Sequence, residues 1–224
     1  MCGRYTTPAE SEAERYFTVH LLHWHFEARF NVAPSQPVPV VRLKDGAREG
    51  SLLRWGLVPF FAHGIPGNYS TINARIETLT SSPAYRGAWK RAQRCILPAT
   101  GFYEWQLHAG GSKQPFFIHA LDQPVFGFAG LWDTSTRADG TVVESCTIIT
   151  MPANALLAEI HNAPGKQRMP AILRPSDHET WLAGTAPEAH AVLLPYPAEG
   201  LVAWPVSTRV NSPHHDDASL IEPQ

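Results

Sequence analysis

The stretch GFYEWQLHAGGSKQPFFIHALDQPVFGFAGLWD, residues 101–133, is the clearest guide to how this chain folds. It contains three runs rich in aromatic and aliphatic residues, at 101–107, 115–120 and 125–133. Gly, Pro and Asp residues typical of turns separate the runs, and no helical pattern lies between them. Strands that follow one another in this way predict antiparallel pairing rather than the alternating helices of a parallel sheet.

The same pattern extends over most of the chain. Further β-rich runs occupy residues 38–43, 51–58, 95–98, 144–151 and 201–206. Helical patterns are fewer, at residues 8–17, 83–92, 152–161 and 176–182, and Ser82 is the expected N-cap of the second. We therefore predict an α+β fold with a predominantly antiparallel, barrel-like sheet core and a few flanking helices.

Length and composition indicate one domain over residues 1–224, with 44% hydrophobic residues, 16 Gly and 20 Pro. The polar segment at 212–224 is expected to be a loosely held end. No apolar run reaches 18 residues, so a membrane-spanning helix is not expected, and the N-terminus lacks the apolar region of a signal peptide. The three cysteines form no C-x-x-C pair, which favours a reducing, cytoplasmic location.

The charge balance limits the kind of partner that the chain can attract. Eighteen Lys and Arg against 20 Asp and Glu give a net charge of −2. The field of the whole protein will not draw in nucleic acid as a basic domain does, so any such contact is confined to a few phosphates. Nothing in the sequence demands more than a monomer.

Cys2 is the most informative single position. Removal of the initiator Met1 would leave a thiol and an α-amine on one residue, and an α-amine has an ordinary pKa of about 7.7–8.0. A neutral amine attacks an aldehyde to form a Schiff base, and the neighbouring thiol then closes a thiazolidine ring. Most cysteines at position 2 have no such role, so this hypothesis depends on the rest of the sequence.

Six further motifs strengthen it. After MCGRY come FNVAP (30–34), WGLVP (55–59), NARIET (73–78), GFYEW (101–105), QPFFI (114–118) and AEIHN (158–162). This ordered set resembles the SRAP family of SOS-response-associated proteins, and the resemblance extends over residues 2 to about 209. The resemblance implies a protein of the DNA damage response that senses abasic sites in single-stranded DNA and cross-links to them through Cys2, without metal or cofactor.

The resemblance also implies roles for three residues beside Cys2. Asn73 would hold the abasic sugar, and Glu104 would move protons during cross-link formation and reversal. His161 would protonate the sugar ring oxygen to expose the aldehyde. From the residues alone Glu104 could equally face solvent, and the end of a helix at His161 would favour its protonated form.

A second set of residues would contact the DNA. Arg4 and Arg75 would bind phosphate, Phe60 and Phe61 would form a wedge beside the lesion, and Trp105 and Arg168 complete the set. Alternatively, Arg75 could pair with Glu77 or face solvent, and the two phenylalanines could lie in the core. Family members usually read HN followed almost at once by RMP, whereas here residues 163–167 intervene, which puts Arg168 in doubt.

A helix over YRGAWKRAQR would show a basic stripe of Arg86, Lys90 and Arg94, with Arg91 nearby.

Two other functions are consistent with the sequence, and a metal site is a third feature to consider. The chain could be a thiol-dependent peptidase in which Cys2 attacks a carbonyl, including processing of its own N-terminus. It could be a module that only shields single strands by stacking. The His20, His23 and His25 cluster could suggest a metal, but no carboxylate or thiol nearby in the sequence completes a ligand set, so we predict no metal site.

Overall fold

The computed structural model describes residues 2–67 and 70–224. The strands are β1 Arg4–Thr7, β2 Leu21–His23, β3 Arg29–Val32, β4 Pro37–Lys44, β5 Ala47–Trp55, β6 Asn73–Arg75, β7 Arg94–Ala99, β8 Gly101–Leu107, β9 Lys113–Ala120, β10 Phe126–Thr136, β11 Val142–Pro152, β12 Arg168–Pro170, β13 Ile172–Leu173 and β14 Leu201–Pro205. The α-helices are α1 Glu10–Phe17, α2 Arg86–Lys90, α3 Ala155–Ile160, α4 His178–Ala183 and α5 Ala186–Ala191.

The strands form two sheets, and the larger one closes on itself. Antiparallel pairing runs from β11 through β10, β7 and β4 to β5, and a parallel pairing of β5 with β11 completes a ring of five strands. The second sheet has the order β14-β9-β8-β1-β3 and is antiparallel throughout. The predicted α+β, mostly antiparallel and barrel-like fold is confirmed.

Aromatic side chains fill the space between the two sheets. Tyr5 of β1 makes edge-to-face contacts with Trp55 and Phe128, at centroid separations of 5.2 and 5.7 Å. Phe102 of β8 packs on the same Phe128 ring at 5.8 Å. All four rings are fully buried, and each such side chain contributes about 1.5–3 kcal/mol to folding. This shared core fixes β1 and β8 against the barrel.

The sequence pattern located the long strands and missed the short ones. All eight predicted runs are strands, but β1, β3 and β6 are only three or four residues long and carry no clear period. The helix predicted over 83–92 is shorter, Arg86–Lys90, and no side chain caps it, so the expectation of Ser82 as its N-cap is wrong. Ser82 instead accepts backbone hydrogen bonds through its carbonyl.

The C-terminal segment differs from the loosely held end that its composition suggested. The carboxylate of Asp216 accepts hydrogen bonds from the backbone N–H groups of Phe30 and Asn31, at 2.6 and 2.8 Å. The Asn31 amide in turn donates to three carbonyls of residues 210–215. Leu220 is fully buried. These contacts were invisible in the sequence because they join residues about 185 positions apart.

No helix in the described part of the chain is both long enough and apolar enough to cross a bilayer.

Candidate active site

Short strands bring the N-terminus to the centre of the site. β1 pairs with β8 in the register Arg4 with Tyr103, so the next step along the chain leads Gly3 towards Glu104. The side-chain amide of Asn73 donates a 2.9 Å hydrogen bond to the carbonyl of Cys2. Asn73 lies on β6, which is attached to barrel strand β11, so this one bond joins the two sheets beside Cys2.

Asn73 is held rigidly and keeps one polar atom available. Its backbone carbonyl accepts a 3.0 Å hydrogen bond from the hydroxyl of Tyr85. The side chain is buried, and its Oδ1 has no hydrogen-bond partner among the described residues. An amide oxygen accepts hydrogen bonds, so this atom is available to a hydroxyl or amine of a ligand.

Glu104 faces inward rather than towards solvent, which settles the alternative left open by the strand pattern. Only 1% of the Glu104 surface is exposed to solvent. Burial raises the pKa of Glu104 to about 7. The carboxyl group is therefore close to half-protonated at neutral pH, and it has the proton affinity that a general acid or base needs.

A cleft of about 240 Å³ connects Glu104 with His161. The other residues that line it are Trp105, Leu107, Lys113, Ala163 and Lys166. The end of α3 is tied to β8 because the Asn162 amide exchanges hydrogen bonds of 2.9 and 3.0 Å with the backbone of Leu107. Ala163 and Lys166 belong to the additional loop at 163–167, so this loop forms one wall of the cleft.

His161 is a neutral imidazole in this setting. It ends α3, and its Nδ1 lies 3.3 Å from the carbonyl oxygen and 3.4 Å from the amide nitrogen of Arg168. Burial lowers its pKa, and the positive charges of Lys166 and Lys113 lower it further. The expectation that the helix end would favour the protonated form is wrong, because desolvation outweighs the weak dipole of a six-residue helix.

The Cys2 thiol is fully buried, with its Sγ 3.8 Å from the Arg4 carbonyl. Burial raises the pKa of this thiol far above its ordinary value, and the charge of Glu104 raises it further. Cys2 is therefore a thiol and not a thiolate near neutral pH. Met1, whose removal the chemistry of Cys2 requires, lies outside the described residues.

Arg168 has a different environment from the one expected of a phosphate ligand. Its guanidinium forms a two-pronged ion pair with Glu77, with both N–O distances 2.8 Å, and also donates to the Thr150 carbonyl. Arg168 is buried, whereas Arg75, the last residue of β6, is exposed. The pairing considered for Arg75 and Glu77 is thus made by Arg168.

Arg4 and Trp105 meet at a residue that the sequence gave no reason to single out. Arg4 donates to the backbone carbonyl of Asn211 at 3.1 Å, and the Trp105 indole donates to the Asn211 side-chain oxygen at 2.8 Å. Asn211 comes from the C-terminal segment that packs on β3. The sequence contains no pattern that marks Asn211, because a lone Asn in a short polar segment matches no motif.

The predicted basic stripe on α2 holds only in part. Arg86 and Lys90 are exposed, but Arg94 is buried and its guanidinium donates to the carbonyls of Trp181 and Gly184. Arg94 begins β7 rather than continuing the helix, so it points to a different part of the protein. Phe60 and Phe61, by contrast, are exposed beside α2 and are not core residues.

The histidine cluster has carboxylate neighbours that the sequence did not suggest. His23 lies 2.8 Å from Glu49 and His25 lies 3.2 Å from Glu10. Across residues 2–67 and 70–224, no three His, Cys, Asp or Glu side chains lie together in a group suited to a metal ion.

Comparison with known proteins identifies the family. The profile of the family described as SOS response associated peptidase (SRAP) matches residues 1–213. The chain belongs to the SRAP family. It is 35% identical to the abasic site processing protein YoaM of Bacillus subtilis, over 99% of this chain and 98% of that protein. It is 32% identical to the abasic site processing protein YedK of Escherichia coli, over 87% of this chain and 84% of that one.

SRAP relatives also include vertebrate proteins and solved structures. The abasic site processing protein HMCES of Gallus gallus is 34% identical over 76% of this chain and 56% of its own length. A crystal structure of a Bacteroides thetaiotaomicron protein superposes with a TM-score of 0.84 at 27% identity, over all of both chains. One from Bordetella bronchiseptica gives 0.81 at 31% identity, over 92% of this chain and all of that one.

Proposed function

We propose that this SRAP protein captures abasic sites in single-stranded DNA by forming a covalent cross-link through Cys2. The observation that carries the proposal is the bond from Asn73 to Cys2, beside a buried Glu104 whose pKa is raised to about 7. The names of the relatives support abasic-site processing as the function. The product would keep the lesion from strand breakage.

The reaction begins once Met1 has been removed. The α-amine of Cys2 adds to C1′ of the ring-opened sugar, and the resulting carbinolamine loses water to give an imine. The thiol sulfur then bonds to the imine carbon, and the thiol proton moves to the nitrogen. The outcome is a thiazolidine ring, and the complete reaction releases one molecule of water.

Glu104 and His161 supply the proton transfers. With a pKa of about 7, Glu104 accepts a proton from the attacking amine and returns one to the departing hydroxyl. Neutral His161 moves a proton from the C1′ hydroxyl to the ring oxygen as the sugar opens. The Asn73 Oδ1 accepts a hydrogen bond from the bound sugar.

The raised thiol pKa favours this route over the peptidase. A cysteine peptidase attacks with a thiolate, whereas burial and the charge of Glu104 hold Cys2 in the thiol form. The amine route needs the sulfur only in its second step, where the intermediate is an electrophilic imine. Thiol-dependent proteolysis by Cys2 is therefore the weaker alternative.

The DNA partner would be held by Arg4, Arg75 and Trp105 around the cleft. Arg75 is exposed and Arg4 is half-buried, and each carries a guanidinium suited to a phosphate group. We expect the protein to act as a monomer in the cytoplasm, without metal or cofactor.

The deciding experiment is the intact mass of the untagged protein before and after incubation with an oligonucleotide that carries one abasic site. We expect a starting mass without Met1 and a heat-stable adduct equal to the sum of the reactants less one water. A protein that retains Met1, or one that forms no adduct, contradicts the proposal.

The variant Cys2→Ser separates the two chemistries. It keeps the α-amine and loses the thiol, so it should form only a labile imine that borohydride reduction traps. A serine variant that gives no trapped adduct rules out the Schiff-base route.

A further inference from the structure

The motif FNVAP at 30–34 has no part in the reaction described above, yet its asparagine makes more side-chain contacts to main-chain carbonyls than a strand residue needs. Asn31 of β3 is completely buried. Its amide nitrogen donates hydrogen bonds of 3.2, 3.0 and 2.8 Å to the carbonyls of Val210, Ser212 and His215. A buried amide that pairs with several main-chain carbonyls fixes the course of the chain that carries them. Asn31 therefore sets the path of the C-terminal segment at 210–215.

Asn211 lies within this segment, and both of its oxygen atoms accept hydrogen bonds from residues at the cleft. Its backbone carbonyl accepts a 3.1 Å bond from the Arg4 guanidinium, and its Oδ1 accepts a 2.8 Å bond from the Trp105 indole. Arg4 begins β1, two residues after Cys2, and Trp105 of β8 lines the cleft next to Glu104. One residue thus links the strand that follows Cys2 to the strand that carries Glu104.

The segment is anchored by contacts that do not involve the Asn211 side chain. Val210 and Leu220 are fully buried in a small apolar cluster with Tyr103. The Asp216 carboxylate pairs with Arg29 at 2.7 Å in addition to its bonds to the β3 backbone. Asn211 itself is exposed. Loss of its side-chain bond should therefore leave the fold intact.

The two residues that Asn211 contacts are long and only partly buried. Side chains of this kind sample several rotamers unless a partner fixes them. Fixing Arg4 and Trp105 before DNA binds reduces the entropy that binding would otherwise cost. Attack of an amine on an aldehyde also depends on orientation, and a displacement of about 1 Å can slow such a step by about 100-fold.

We propose that Asn31 and Asn211 are positioning residues for covalent capture. Asn31 holds the C-terminal segment, and Asn211 fixes the Trp105 indole and the Arg4 guanidinium beside the cleft. Both residues act through Trp105 and Arg4 and not on the sugar. The inference rests on the proposed function, because the step that it serves is cross-link formation through Cys2.

The first test is Asn211→Leu, which removes the Oδ1 acceptor and keeps the backbone carbonyl. Single-turnover cross-linking rates are measured at increasing concentrations of an abasic oligonucleotide. The rate at saturating DNA should fall about ten-fold and the half-saturating concentration should stay within about three-fold, because orientation is lost rather than attraction. Asn211→Asp keeps an acceptor oxygen and should recover most of the rate. The control His214→Leu puts the same side chain at another exposed position of the segment and should react at the original rate.

A double-mutant cycle tests whether Asn211 acts through Trp105. Trp105→Phe keeps an aromatic ring and loses the indole N–H. In that background Asn211→Leu should cause no further slowing, because its partner is already gone. A substitution that only loosened the fold would slow both backgrounds by the same factor, so fully multiplicative effects overturn the proposal.

Asn31→Ala tests the other half of the proposal. Without the three amide bonds the segment should open more often, so trypsin should cleave after exposed Arg209 about ten-fold faster. The rate at saturating DNA should fall as in Asn211→Leu. Asp216→Asn loosens the same segment from its exposed side and supplies the result if Asn31→Ala does not fold. Faster cleavage with an unchanged cross-linking rate overturns the role of Asn31.

Failure of the proposed function has a different signature. If the original protein forms no adduct, the cross-linking reaction is wrong, but the positioning is still read from Trp105 itself. Its indole N–H resonance, assigned by its loss in Trp105→Phe, should exchange with solvent about ten-fold faster in Asn211→Leu than in His214→Leu. Equal exchange in these two variants overturns the positioning, whatever the outcome of the mass measurement.

Discussion

The cleft at Glu104 and the groove formed by Phe60, Phe61 and α2 use buried charge in opposite ways. In the cleft, burial raises the pKa of Glu104 and Cys2 and lowers the pKa of His161. Burial there sets how strongly each group holds its proton. In the groove, buried Asp133 binds Arg91 and the Phe60 backbone and acts as a support for exposed rings. The groups assigned to the reaction are thus withdrawn from solvent, whereas the two phenyl rings remain exposed to it.

The largest expected effect comes from blocking the α-amine. A variant with an uncleaved N-terminal extension has no amine on Cys2, so it should form no covalent product at all. Its non-covalent binding of undamaged single strands should stay within a few-fold, because contacts between guanidinium groups and phosphates do not need the amine. Mass spectrometry and anisotropy on the same sample test both statements, and any remaining heat-stable adduct would show that another nucleophile reacts.

Glu104→Gln should affect the cleft alone. Gln keeps the shape and loses the titration, so both formation and reversal of the cross-link should slow by on the order of 100-fold. Non-covalent affinity should change by no more than a few-fold. Single-turnover rates at saturating DNA between pH 6 and 8.5 provide the measurement, and the inflection near pH 7 should be absent from the variant. Unchanged rates would remove Glu104 from the mechanism.

The same substitution should stabilise the fold at alkaline pH. The pKa of Glu104 rises from 4.5 to about 7 on folding, so the folded chain binds more protons than the unfolded chain between these values. Stability is therefore lost as the pH rises through this window. At pH 8 we expect Glu104→Gln to unfold with a free energy on the order of 3 kcal/mol higher than the original, a difference that should vanish below pH 4.5.

Urea unfolding at pH 4 and at pH 8 measures this difference. His161→Gln is the control. Burial lowers the pKa of His161 rather than raising it, and the His161 side chain carries no negative charge. Equal stability of Glu104→Gln and the original protein at pH 8 would mean that the carboxyl group is well solvated, and the contrast between cleft and groove would fail.

The sequence was sufficient for the long strands and the family, whereas the roles assigned to Cys2, Asn73, Glu104 and His161 remain predictions. The stretch 101–133 correctly predicted three strands, two in the smaller sheet and one in the larger. Long apolar segments bounded by turns have few alternative structures. The sequence could not reveal the contacts of Asn211 and Asp133. Asn211 bonds to a residue that lies 106 positions away in the chain, and Asp133 to one that lies 73 positions away. The neutral state of His161 was also hidden, because burial is a property of the fold.

Substitutions at Arg168 and its partner Glu77 have the smallest expected effect. They test whether a role inferred from the sequence survives the contacts seen in the structure. Its family position suggested a phosphate ligand, but its guanidinium is occupied by Glu77 and Thr150. Glu77→Gln and Arg168→Lys both break the two-pronged pair, so both should lower stability by about 1 kcal/mol, since Glu77 is half-exposed. DNA affinity should stay within two-fold for each.

The two variants differ only if Arg168 leaves its partner to bind DNA. In that case Glu77→Gln would release the guanidinium and strengthen binding, while Arg168→Lys would weaken it and lower the salt slope by about 0.7. Equal affinities with matched losses of stability assign Arg168 to the support of the cleft. Its backbone then positions His161, and phosphate contact falls to the exposed cations.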